Sequence, residues 1–364
     1  MNWIATNNKM QKLLSILDET IRNYLNTAKK ESIENLIGLF ESIKAPQGQI
    51  PMRYNSALIP LETPREYPLP IQINDIVSAT DFLINEKISV GAFDSSYFSP
   101  GPHLHIPVHI ISVGLWYYNY GERTGGDEFE VFGTVTLGDR VELELIVKEF
   151  EGQSLEILSE KLVGSSKLVL FDESFNLTYT LSWAIDKRQE MVKRIKDNIL
   201  KCTKSNIIPV AVFFTRSRDL IRGISLLTGT DLQELPEISD AAFMRLYLRE
   251  IGSRSPIFAV YSKPTHDAQL DLIGFYIKLD THNIIRVEIP AVFRDLVDLV
   301  HSVIYSQVII GNGFPMAMQR AHEAAVITRD HRRIIEERIA ELLGRPSIEY
   351  VLSKKELSKR WPIV

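Results

Sequence analysis

The stretch Val90-Gly91-Ala92-Phe93-Asp94-Ser95-Ser96-Tyr97 decides how the chain reads. An apolar strand, Ile88-Ser89-Val90, runs through small residues and ends on an acid followed by two hydroxyls. A carboxylate delivered this way cannot join a packed interior unless it is paired or bound to a cation. Lys167-Leu168-Val169-Leu170-Phe171-Asp172-Glu173-Ser174 repeats the design. Two strand-tip aspartates with a helix between them suggest parallel neighbouring strands that hold their carboxylates side by side. Carboxylates that close repel each other unless a metal sits between them. The expectation is a divalent-metal site on a β-sheet. A local reading competes with it: Asp94-Ser95-Ser96 as a turn and Asp172 as a helix cap.

Working outward, residues 87–94, 103–119, 129–136 and 140–150 run or alternate in β-branched and aromatic types and predict strands. Residues 152–163 switch to helical spacing, with Leu155, Leu158 and Leu162 on one face and Gly164 as the stop. The Asp172 strand follows, then a Lys- and Arg-rich helix over 184–203 and a strand over 207–214. The order is three antiparallel strands, helix, strand, helix, strand. A helical crossover makes the fourth strand parallel to one already laid down. This is the order of a ribonuclease H-like sheet, in which the first and fourth strands are neighbours, so Asp94 would lie beside Asp172. The expected class is α/β: a ribonuclease H-like mixed sheet flanked by helices, with N-terminal helices and a C-terminal helical extension.

Residues 1–45 read as N-terminal helices, either packed on the main domain or forming a subunit contact. Residues 46–75 carry six prolines and read as an extended connector. The nuclease-like domain is expected over 76–345. Its later part has a helix over 241–250 capped near Ser239, strands near 257–262, 271–279 and 284–289, and helices near 291–309, 315–328 and 329–344. Residues 346–364 read as a tail. Apolar residues make up 45% of the 364, enough for a sizeable core, and the net charge of −5 argues mildly against a protein that coats nucleic acid. A lone Cys202 excludes an intramolecular disulfide and a cysteine-based zinc site, and fits a reducing compartment. With no signal-peptide pattern and no membrane span in view, a cytoplasmic protein is expected.

His322, in Ala317-Met318-Gln319-Arg320-Ala321-His322, shares a helix face with Met318, Ala321 and Ala325. It reads either as a satisfied core histidine or as a ligand or proton donor for the carboxylates. His103, His105 and His109 fall on one strand face, but Pro102 and Pro107 interrupt the run, so they read as a partly solvated strand. Arg216 and Arg218 sit where a strand meets a helix N-terminus. With the basic helix they could line a channel for a phosphate backbone, or form a solvated charged face.

Several segments together resemble the NurA nuclease family: Asp94-Ser95-Ser96 and Asp172-Glu173-Ser174, where the family has Asp-Gly-Ser forms; Thr215-Arg216-Ser217; Ile238-Ser239-Asp240; Ile285-Arg286-Val287-Glu288; and Gly313-Phe314-Pro315 running into Arg320-Ala321-His322-Glu323. The resemblance covers roughly 85–330. It implies a ring-shaped homodimer that degrades DNA from 5′ ends, cuts single strands, and works with a HerA-type hexameric helicase-translocase in end resection for recombinational repair. Manganese is the implied cofactor, with magnesium the alternative. Carried over by position, Asp94, Glu156, Asp172 and His322 become the metal-binding and catalytic residues, with Glu160 as runner-up to Glu156. Arg216, Arg218, Phe314 and Arg320 become candidates for DNA contact. The mechanism implied is two-metal hydrolysis. This chain departs from the family at Ser95 and Glu173, which replace glycines, and at Phe314, which replaces a tyrosine. Those departures keep a second reading open, a DNA-clamping adaptor of the same fold with weakened catalysis. A metal phosphatase on a similar sheet is a third.

Overall fold

Two apolar strands that each end on an aspartate need neighbours on both edges and a covered face on each side. The computed structural model describes residues 9–20, 30–44, 52–100 and 107–343. In chain order the elements are α1 (9–20), α2 (Lys30–Ser42), β1 (Ser56–Pro60), α3 (Ile76–Asn85), β2 (Ile88–Phe98), β3 (Val108–Asn119), β4 (Thr124–Val135), α4 (Arg140–Lys161), β5 (Ser166–Phe171), α5 (Ile185–Lys204), β6 (Ile207–Phe213), α6 (Asp219–Thr228), α7 (Asp240–Tyr247), β7 (Phe258–Ser262), α8 (Lys263–Asp267), β8 (Leu272–Lys278), β9 (Ile284–Pro290), α9 (Val297–Ile310), α10 (Met316–Ala325) and α11 (Arg329–Leu342).

The nine described strands form one mixed sheet in the order β1-β7-β8-β9-β6-β5-β2-β3-β4. β2, β3 and β4 are an antiparallel meander; β5 returns parallel beside β2, and β6 parallel beside β5. The first and fourth strands of the predicted order are therefore neighbours. Phe93 stands opposite Phe171, and one residue further on come Asp94 and Asp172. The rings of Phe93 and Phe171 meet edge to face at 4.8 Å, and Phe171 meets Phe175 at 5.1 Å, so an aromatic cluster fixes the base of both tips.

Each face of the sheet carries its own core. One is closed by α2, α4, α5, α6 and α7, with Phe40, Leu158, Ile195, Ile224 and Phe243 buried there. The other is closed by α3, α9 and α10, with Leu83, Val303, Ile304 and Ala321 buried there.

Two expectations are corrected. Residues 140–150 are not a strand but the first half of α4. Val141, Leu143, Leu145 and Val147 alternate, which imitates a strand. Yet Asp139 accepts the Glu142 backbone N–H at 3.1 Å as a helix N-cap. α4 buries residues toward both the sheet and α5, and two adjacent buried flanks on one helix blur the single 3.6-residue stripe. The proline-rich connector, in turn, contributes β1, which pairs antiparallel with β7 at the sheet edge. An edge strand tolerates Pro60 because one side of its backbone needs no partner. The tail over 346–364, the 46–51 part of the connector, and His103 and His105 lie outside the described residues.

Candidate active site

Successive side chains on a strand point to opposite faces. Val90 and Ala92 belong to the core under α10, whereas Phe93 belongs to the core under α4. Asp94 therefore faces α10 and Ser95 faces α4. The same alternation beyond Phe171 turns Asp172 toward α10 and Glu173 toward α4.

On the first side, α10 lies directly on the sheet. Gly114 on β3 is the register partner of Asp94, and a Cβ there would collide with the backbone of Ala321 and Ala325. Ala317, Ala321 and Ala325 are the buried small residues that allow this approach. It carries His322 Nδ1 to 2.6 Å from Asp94 Oδ2. His322 is 68% exposed, so it is not a core histidine; it stands at the mouth of a cavity of about 420 Å³ that Asp94, Asp172, Phe314 and Gln319 also line. Asp94 further accepts the Ser95 backbone N–H at 2.8 Å. Asp172 makes no hydrogen bond or ion pair among the described residues. Desolvation and the adjacent Asp94 charge push its carboxyl above the ordinary range, against the opposing pull of His322 and Lys148.

On the second side, α4 supplies a pair that sequence reasoning missed. Ser95 Oγ donates to Glu151 Oε1 at 2.6 Å, and Lys148 Nζ donates to Glu151 Oε2 at 2.7 Å and to Glu173 Oε1 at 3.0 Å. Glu151 is 3% exposed and Lys148 17%. Burial works against the ammonium, but the Glu151 and Glu173 charges outweigh it and push the pKa of Lys148 well up. Desolvation raises the Glu173 carboxyl more than Lys148 lowers it.

Glu156 does not join this constellation. Its carboxylate lies 2.8 Å from Lys201 on α5 and is 66% exposed, and Glu160 is exposed as well. The glutamate that α4 aims at the strand tips is Glu151. A signal for it existed: Leu143, Val147, Glu151 and Leu155 form an i, i+4 ladder, and an acid in an apolar ladder is aimed inward.

The predicted nucleic-acid residues divide. Phe314 stacks on Phe214 at 5.9 Å at the cavity rim, and Phe214 is 53% exposed. Arg216 is exposed just past β6. Arg218 is instead committed to the Pro236 carbonyl at 3.0 Å, and Arg320 pairs with Glu323 at 3.0 Å on the α10 surface. Within α5, Arg194 is tied to Glu149 and Glu190, and Lys201 to Glu156. Arg194 and Lys201 thus join α5 to α4, Lys196 reaches the Ala268 carbonyl at 2.8 Å, and none of the three lines the cavity. His109 is bonded to Ser99 at 2.7 Å.

The Asp172 loop is anchored from below. Glu288 on β9 accepts Ser174 Oγ at 2.9 Å and the Phe175 N–H at 2.8 Å. Arg286 then bridges Glu288 at 2.6 Å and Asp219 at 3.0 Å. Asp240 completes the network, accepting from Ser217 Oγ at 2.9 Å, the Leu220 N–H at 3.1 Å and Tyr276 Oη at 3.2 Å.

Among the described residues no three His, Cys, Asp or Glu side chains form a ready-made metal cage. The donor set nevertheless fits a hard divalent cation. Asp94 and Asp172 place two carboxylates together, Asp172 has no bonded partner, and the imidazole of His322 stands at the same mouth. No helix of the described residues is long and apolar enough to cross a membrane.

A model of the NurA domain matches residues 88–327. No curated protein sequence matches the chain. Among solved structures, a NurA nuclease from Sulfolobus solfataricus superposes with a TM-score of 0.52 at 15% identity, covering 93% of this chain and 96% of that one. A second NurA structure gives 0.46 at 10% identity over 92% and 97%, and one of NurA with manganese gives 0.44 at 9% over 94% and 99%. At these identities the likeness is one of fold.

Proposed function

This chain belongs to the NurA family, and from that premise we propose that it is a divalent-metal-dependent DNA nuclease. The observation that carries the proposal is the pair Asp94 and Asp172 on adjacent parallel strand tips, with His322 bonded to Asp94. Asp94, Asp172 and His322 are the residues that would hold the ion, manganese or magnesium. When bound, the ion supplies Lewis-acid charge for hydrolysis of a phosphodiester.

The remaining roles belong to the chain itself. When His322 donates Nδ1–H to Asp94, the tautomer is fixed and Nε2 is left as the acceptor on an exposed ring. In that state Nε2 can ligate the ion; when the ring is protonated, it can deliver a proton to the leaving 3′ oxygen. Phe314 and Phe214 give unpaired bases a flat surface at the rim. Arg216, with Arg320 once freed from Glu323, contacts phosphates. The phosphodiester is common to every sequence, so cutting is expected to be independent of sequence and to fall with salt. In the cell we assign the enzyme to 5′ end resection and single-strand cutting as a homodimer beside a HerA-type hexameric translocase.

A second reading, a DNA-clamping adaptor, draws on Ser95 and Glu173, both engaged in the Glu151–Lys148 network. Digestion of end-labelled single- and double-stranded DNA with manganese, magnesium or chelator separates the two. The nuclease predicts metal-dependent cutting that disappears in Asp94→Ala while DNA binding persists. The adaptor predicts binding without cutting, alone or with the translocase.

A further inference from the structure

Phe314 sits in the connection 311–315 between α9 and α10, outside any strand or helix. Asn312 (φ 54°) and Gly313 (φ 112°) reverse the chain there through the left-handed region. The reversal is tight: a Cβ on Gly311 would collide with the Phe314 carbonyl oxygen. One side chain then ties the two ends of the turn together. Gln319 Nε2 donates to the Gly311 carbonyl at 2.6 Å and to the Phe314 carbonyl at 3.0 Å. Both partners are acceptors, so the nitrogen of the carboxamide faces them, and both of its N–H groups are used. Gln307, buried on α9, secures the far end of the turn by accepting the Ala317 N–H at 3.1 Å.

Gln319 lies one turn before His322 on α10, and both line the cavity that holds Asp94 and Asp172. The ring that this turn presents stacks on Phe214, with centroids 5.9 Å apart and planes 25° apart. Rings in direct contact leave no room for a base between them. A base therefore stacks on the outer side of Phe214, which is 53% exposed, and Phe314 backs that ring.

We propose that Gln319 sets a preference for unpaired strands. It is a positioning residue: it clasps the turn, the turn holds Phe314 behind Phe214, and Phe214 takes a base of a single strand whose phosphate lies at Asp94 and Asp172. This rests on the nuclease reading above. Bases inside a duplex are already stacked on their neighbours and cannot use the platform, so the clasp favours single strands and frayed ends. Every base has a flat face, so the preference is for strand state and not for sequence.

The test compares wild type with Gln319→Met, which keeps the length of the side chain and removes both donors. Affinity for a labelled single strand and for a closed DNA hairpin is read by fluorescence anisotropy in chelator, where nothing is cut. Gln319→Met is expected to lose about fivefold or more on the single strand and to stay within about twofold on the hairpin. Phe214→Leu is expected to show the same split, and the double variant to lose little more than either alone. With manganese, the KM of Gln319→Met for single strands should rise while kcat holds. If Gln319→Met does not fold, Gln319→His, which keeps one N–H, decides by the same ratio. Equal losses on both DNAs, no loss on either, or additive losses in the double variant overturn the proposal and leave the nuclease standing. Wild type that binds neither DNA in chelator and cuts neither with manganese overturns both.

Discussion

Asp94 Oδ2 accepts from the His322 ring nitrogen at 2.6 Å, and that contact ties His322 to the strand tips rather than to the core. His322→Ala is expected to lower cutting by at least about 10²-fold, since a positioned acid or base contributes that much. Because the side chain is 68% exposed, the melting temperature should barely move. Full activity in the variant would remove His322 from the mechanism. Glu156 supplies the opposite case. Its exposed pair with Lys201 is worth under about 1 kcal/mol, so Glu156→Ala should cut DNA as wild type does and melt within a degree or two of it. Loss of cutting there would return Glu156 to the site. Asp94 and Asp172 were legible because an acid at the end of an apolar run leaves few places for a charge to go. The inward aim of Glu151 depends on the helical phase of α4, which the alternating Val141, Leu143, Leu145 and Val147 conceal.

At the scale of elements, the site exists because α10 can touch the sheet at Gly114. Any side chain there meets the backbone of Ala321 and Ala325, which cannot rotate away. Gly114→Val is expected to lift α10, cost about 1–3 kcal/mol through overpacking, and break the His322–Asp94 contact. The measurement is chemical denaturation paired with the DNA-cutting rate. Unchanged stability and rate would mean that the helix does not rest on β3. Nothing in the sequence marks Gly114 as different from Gly126 or Gly133, where a Cβ meets only open space, because the constraint comes from a helix some two hundred residues later in the chain. The strand order was readable, since three alternating runs followed by helix, strand, helix and strand admit few topologies. The edge strand β1 was not, because its prolines suppress the local signal and only its pairing with β7 reveals it.

Across the whole molecule, a buried ionic network runs beside the sheet to the Asp172 loop: Asp240 and Asp219 near β6, then Arg286 and Glu288 on β9, then Ser174. The resemblance had marked these segments without giving them a task, and the structure shows them supporting the Asp172 loop. Burial, and next the charge of Asp219, raises the Asp240 carboxyl from 3.8 to about 6. A carboxyl raised in the folded state binds more protons than in the unfolded chain between those values. Its contribution to stability therefore falls as pH rises through that window and levels off above it. Burial lowers His301 to about 4, which gives the opposite slope, so the whole-protein curve mixes the two. The difference between wild type and Asp240→Asn isolates the carboxyl. That difference should shrink between about pH 4 and pH 7 by up to about 3 kcal/mol, as read by urea unfolding. A pH-independent difference would contradict the account.

The central claim, that Asp94 and Asp172 are neighbours because they share one metal, is tested most directly by anomalous diffraction at the manganese edge from crystals grown with Mn2+. The account predicts a peak between the two carboxylates and within reach of His322, and no such peak in Asp172→Asn crystals. A strong peak elsewhere, with none at the paired strand tips of wild type, would contradict it.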